Sequence, residues 1–81
     1  MLKQEVDSKI REMIIANKQF GEEVKLDCDL RDNYGIDSIA LVTLLIEIES
    51  EFDITIDSSL LTYDCFSTGE AISTYVFDKL R

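Results

Sequence analysis

The chain has 81 residues, which suits one compact domain with a small core, expected over residues 1–81. Seventeen acidic against eight basic residues leave a net charge of −9, which argues against nucleic acid and anionic membrane surfaces, since both are bound through Lys and Arg. The sequence has no histidine, the commonest general base and metal ligand, and no proline, which favours helix over a turn-rich β fold.

The opening Met1-Leu2-Lys3-Gln4-Glu5 is charged and does not read as a signal peptide. Leu2, Val6, Ile10, Met13 and Ile14 follow at steps of three and four, one helical stripe that fades near Asn17 and has stopped by Gly21. Residues 21–37 show no sustained period. They read as a long loop pinned to the core by Val24, Leu26, Leu30, Tyr34 and Ile36. So long a structureless segment in a small domain is often functional.

A second helix is expected from about Ser38 to Glu51, with Asp37 as its N-cap. Leu41, Leu44, Leu45, Ile48 and Phe52 form a core stripe along it. Ile39, Val42 and Ile46 form a second apolar line. A helix packed on one side cannot bury both lines. Either this helix is central, or the second line is a contact surface.

Asp57-Ser58-Ser59-Leu60-Leu61-Thr62 fits a short helical turn opened by Asp57. Ser67-Thr68-Gly69-Glu70 reads as a capping box, with Ser67 the cap and Glu70 three residues on. A last helix follows, with Ala71, Ile72, Tyr75, Val76 and Leu80 on one face. The fold class is all-α, with three main helices and a short one around one core.

Candidate chemistry is sparse. A calcium loop starting at Asp27 fails, because Arg31, Asp32 and Ser38 occupy the positions that need Asp or Asn, Gly and Glu. Catalysis by Ser38 would need a base, and no histidine exists. Cys28 and Cys65 lie far apart and belong to no Cys-x-x-Cys pair, so they read as small core hydrophobes with reduced thiols in a cytoplasmic protein. No catalytic residue and no metal ligand is expected. The apolar stretch Ile39 to Ile48 falls far short of the ~20 residues a membrane span needs.

Ser38 remains, a hydroxyl at the boundary between loop and apolar helix. It suits attachment better than catalysis. A phosphate ester there would meet the free N–H groups and positive dipole end of the helix. Asp37 would repel the phosphate, yet it could help hold a divalent cation during the transfer.

Leu30-Arg31-Asp32-Asn33-Tyr34-Gly35-Ile36-Asp37-Ser38-Ile39 resembles the attachment motif of acyl carrier proteins and the related peptidyl and D-alanyl carriers. Glu49-Ser50-Glu51-Phe52-Asp53-Ile54-Thr55-Ile56 resembles the end of their second helix, and Phe66-Ser67-Thr68 their last junction. The resemblance runs from about Leu30 to Val76. It implies an acyl-carrier-like four-helix bundle whose third helix is short. It implies that a phosphopantetheinyl transferase, using coenzyme A and magnesium, attaches 4′-phosphopantetheine to Ser38, with Asp37 supporting the modification. The arm would then carry acyl or aminoacyl groups as thioesters. The protein itself would be no enzyme, but a monomeric shuttle among acyl-loading and acyl-processing enzymes with basic docking surfaces.

In that frame Ile39, Val42 and Ile46, with Glu47, Glu49 and Glu51, fall where partner enzymes contact the second helix. Ala40 and Thr43 stand where bacterial fatty-acid carriers usually place acidic residues. Ile39 stands where Leu is usual, Asn33 where Asp is common and Tyr34 where Leu is common. These departures point away from generic fatty-acid biosynthesis and toward a dedicated carrier for polyketide, nonribosomal peptide or cell-envelope assembly. The overall charge still fits the fatty-acid type. The alternative of another class is an acidic helical protein-interaction module without a prosthetic group, for which Ser38 would be dispensable.

Overall fold

A computed structural model of the chain describes residues 2–57, 59 and 66–80. Among these residues there are four α-helices: α1 (Lys3–Asn17), α2 (Leu30–Tyr34), α3 (Ser38–Phe52) and α4 (Gly69–Leu80). There is no sheet among the described residues. One isolated antiparallel bridge joins Asp29 to Thr68.

The helix α1 follows its periodicity. Val6, Ile10 and Ile14 are fully buried at steps of four, on the arc that faces α3 and α4. Leu2 does not extend the stripe into the core. It is the N-cap and is exposed, because the buried arc starts one turn later, and the Glu5 carboxylate accepts its N–H at 2.9 Å. One link between helices was not legible in the pattern. The Ser73 hydroxyl of α4, fully buried, donates to Asp7 of α1, and Lys3 pairs with the same carboxylate oxygen at 3.1 Å.

That arrangement sets a pH dependence. Burial tends to raise the Asp7 pKa, but the Ser73 hydroxyl, Lys3 and Arg11 together hold it below its ordinary 3.8. A carboxylate whose pKa is lower in the folded chain stabilises it above the ordinary value. That contribution is lost as pH falls through the depressed value. The melting-temperature gap between wild type and Asp7→Asn is therefore expected to be widest near neutrality and to close on acidification below ~4. An unchanging gap would remove Asp7 as the titrating group.

The segment between α1 and α3 is not structureless. Leu30–Tyr34 forms a helix that the periodicity missed, because five residues are too few to show a repeat. Its signals are its ends. The Asp29 side chain accepts from the N–H groups of Arg31 and Asp32 at 2.8 and 2.9 Å. Gly35 closes it in the left-handed region, at φ +68°. The expected anchoring holds. Val24, Leu30, Tyr34 and Ile36 are buried, and Leu26 packs against the core.

Tyr34 gives this segment its shape. Its buried ring carries a hydroxyl that accepts the Lys25 N–H at 2.6 Å and reaches the Glu23 carbonyl at 3.0 Å. Tyr34→Phe keeps the ring and strands both backbone groups. A loss of about 1–2 kcal/mol is expected in urea unfolding. A neutral result would mean that water replaces the hydroxyl.

The start of α4 lies one residue later than the capping box predicted. Thr68 is the cap, its Oγ1 accepting from the Ala71 N–H at 3.1 Å. Ser67 is drawn into the junction with α2, where its carbonyl accepts the Leu30 N–H at 2.9 Å. Gly69 then begins α4 in close quarters. A Cβ there would come within 2.7 Å of Leu26 and 2.9 Å of Ile14. Along α4, Ile72 and Val76 are fully buried, while Ala71, Tyr75 and Leu80 are half-buried at the edge of the face. The Tyr75 ring meets Phe66 edge-on at 5.4 Å.

At the predicted short turn, Asp57 accepts both the N–H and the hydroxyl of Ser59, at 2.9 and 2.8 Å. Those two bonds pull the Asp57 carboxyl below its ordinary range. The rest of that turn, Ser58 and Leu60 to Thr62, lies outside the described residues, as does Cys65. Cys28 is half-buried, is not in a disulfide and packs against the core.

Candidate attachment site

The three residues before α3 decide where its first hydroxyl points. Gly35 ends α2 by donating its N–H back to Arg31 and Leu30. Ile36 is fully buried, and its N–H binds the Leu30 carbonyl at 3.1 Å. With Ile36 fixed inward, the extended backbone at Asp37 turns the next side chains outward. Asp37 caps α3 as expected, accepting the Ala40 N–H at 2.8 Å. Ser38 and Ile39 follow in the first turn, both exposed, and Ile39 is 79% accessible. Among the described residues, the Ser38 hydroxyl and the N–H groups of Ser38 and Ile39 have no protein partner. A reacting group can reach this hydroxyl, and first-turn donors stand beside it.

The two apolar lines of α3 part company. Leu41, Leu44, Leu45 and Ile48 are fully buried and Phe52 nearly so. Ile39 and Ile46 are exposed and Val42 is half-buried. The helix is thus packed on one arc only, and its second line faces solvent. Thr43 lies on that outer face, its hydroxyl turned back onto the Ile39 carbonyl at 3.1 Å.

The three glutamates are not equivalent. Glu47 is exposed and has no hydrogen bond or ion pair among the described residues. Glu49 accepts the Ile56 N–H at 2.7 Å and so holds the chain leaving α3. Glu51 pairs with Lys9 of α1 at 3.0 Å, which raises the Lys9 ammonium pKa.

Sequence reasoning missed Phe20. It is 52% accessible, and its ring lies over Gly35, where a Cβ would approach within 2.6 Å of it. The aperiodic stretch around it offered no signal, and only the folded chain brings it to the base of α3.

Comparison with known proteins shows the family of this chain. The family model described as the phosphopantetheine attachment site matches residues 8–76. An acyl carrier protein of Petrotoga mobilis is 39% identical over 62 residues, covering 75% of this chain and 73% of that protein. One from Desulforapulum autotrophicum is 44% identical over 55 residues, 64% of this chain and 70% of that one. Acyl carrier protein 2 of Pseudomonas aeruginosa is 31% identical over 55 residues, 64% and 67% of the two chains. The chain belongs to the acyl carrier protein family, whose members bear covalently attached 4′-phosphopantetheine and work with partner enzymes. No helix among the described residues is long and apolar enough to cross a membrane.

Proposed function

We propose that Ser38 is the attachment residue and that the protein is a non-catalytic carrier of acyl or aminoacyl groups, in one domain spanning residues 1–81. The observation that carries this reading is the exposed, unpartnered Ser38 hydroxyl at the start of α3, next to the Asp37 cap. When bound, 4′-phosphopantetheine supplies a thiol with an ordinary pKa near ~8.5, which exchanges thioesters close to neutrality.

In the loading step, Ser38 Oγ attacks the phosphorus of coenzyme A that bears the pantetheine. The new P–O bond forms as the phosphoanhydride bond breaks, and adenosine 3′,5′-bisphosphate leaves with the electron pair. The hydroxyl proton passes to a base on the transferase. Asp37 uses one oxygen to cap α3, and its carboxylate would help hold the magnesium ion, which would offset phosphate charge. Tethering then makes delivery to each partner intramolecular.

Partner enzymes, namely the phosphopantetheinyl transferase and the acyl-loading and acyl-processing enzymes, dock on Ile39, Val42 and Ile46. Their basic groups meet Glu47 first, while Glu49 and Glu51 add to the local field. The outer face of α3 is uncharged from Ser38 to Ile46. That supports a dedicated carrier for polyketide, peptide or cell-envelope assembly over a housekeeping fatty-acid carrier. A cytoplasmic monomer fits this role.

The test is intact mass after incubation with coenzyme A, magnesium and a broad-specificity transferase. A gain of one phosphopantetheine, mapped to the peptide holding Ser38, is expected. No gain, under conditions that modify another carrier, would overturn the assignment.

A further inference from the structure

Among the described residues, the exposed large hydrophobics are Leu2, Ile15, Phe20, Ile39 and Ile46. Isolated exposures of this kind are ordinary on small proteins. Phe20 and Ile39 differ in their setting, because they flank the short stretch Gly35 to Ser38. The position of Phe20 is fixed by its neighbours. The Gln19 N–H donates to the Tyr34 carbonyl at 2.9 Å, and the Lys18 ammonium donates to the Gly21 carbonyl at 2.7 Å. The first bond ties residue 19 to the end of α2 and the second closes residues 18–21 on themselves, with the aromatic ring resting on Gly35 where a side chain would collide with it.

From Gly35 to Ser38 is three residues, at most ~11 Å of chain. The path is shorter still in effect, because Ile36 is held in the core. A group esterified to Ser38 therefore starts no further than that length of chain from the glycine under the Phe20 ring, and Ile39 is the next residue in sequence. Pantetheine places its one bulky apolar element, a geminal dimethyl carbon, directly after the phosphate-bearing carbon.

We propose that Phe20 and Ile39 form a seat for the geminal dimethyl end of the arm carried on Ser38. This inference rests on Ser38 being the attachment residue. The seat holds the proximal arm against the base of α3 while leaving the distal thiol free. Its contact area is small, and it acts only because the tether keeps the local concentration high. Gly35 is part of the design, since any side chain there would displace the ring.

The test is isotope-filtered NOE spectroscopy on the ¹³C,¹⁵N-labelled holo-protein carrying an unlabelled arm. The arm is first mapped to Ser38 by peptide mass. Cross-peaks from the geminal methyls to the Phe20 ring and the Ile39 δ-methyl are expected. They should persist in Phe20→Tyr and lose the ring component in Phe20→Ser, with helicity checked by circular dichroism. An arm on Ser38 whose methyls show no cross-peak to the Phe20 ring overturns the seat and leaves the carrier reading intact. An arm absent from Ser38 overturns both.

Discussion

Ser38→Ala is expected to abolish arm attachment completely while leaving the fold unchanged. The two effects separate because of where the residue sits. Its hydroxyl is exposed and bonded to nothing among the described residues, and the cap of α3 belongs to Asp37. Surface substitutions of this kind stay within about 0.5 kcal/mol. Alanine also suits the first turn of a helix. Intact mass should therefore show no gain with coenzyme A and transferase, and the urea midpoint should match wild type. A variant that still gains one phosphopantetheine would move the attachment elsewhere. A variant that unfolds would mean that the hydroxyl is structural after all.

The second large effect separates the two faces of α3. Leu45 is fully buried, and its neighbour Ile46 is 54% accessible. Leu45→Ala removes side-chain volume from a closed core and should cost about 2–5 kcal/mol. That is a large part of the few kcal/mol by which a domain of this size is stable, so the variant should be partly unfolded near its working temperature. Ile46→Ala should leave the unfolding free energy within about 0.5 kcal/mol of wild type. Its loss should fall instead on the transferase, as a raised KM with kcat little changed, because docking contacts stabilise ground and transition states alike. Equal stability losses at both positions would mean that α3 is buried all round. An unchanged KM for Ile46→Ala would remove that residue from the docking face.

The charges around α3 bear on partner choice. Glu49 and Glu51 are engaged within the chain, with the Ile56 N–H and with Lys9. Both keep their negative charge, but an arriving cation must compete with those contacts. Glu47 faces no such competition. The outer face of α3, the proposed docking face, thus presents apolar side chains close to Ser38 and the unengaged Glu47 carboxylate two turns further on. An interface of that kind depends less on salt than one lined with carboxylates.

Much of this molecule was legible in its residues. The stripe of α1 and the inner stripe of α3 announce themselves through periods of three and four, because burying one arc of a helix demands that spacing. Asp37 was readable as a cap because a short carboxylate before an apolar run has one obvious task. Membership of the carrier family was readable from the local pattern around Ser38. What depends on long-range contact was not readable. α2 is too short to show a period and exists because Asp29 and Gly35 close its ends while Leu30 and Tyr34 reach the core. The choice of Thr68 over Ser67 as the cap of α4 was settled by Ser67 being taken up at α2, across a large sequence gap. The Ser73–Asp7 bond joins residues 66 apart.

By itself, then, the sequence determined that this is a small acidic helical domain with a serine set before an apolar helix, since composition, period and capping act locally along the chain. Only the tertiary structure decided which apolar line of α3 meets solvent. The line Ile39, Val42, Ile46 and the line Leu41, Leu44, Leu45, Ile48 have the same hydrophobic character, and the sides on which α1 and the rest of the core pack selected the second for burial. The same packing set Phe20 over Gly35, at the foot of the helix that begins with Ser38.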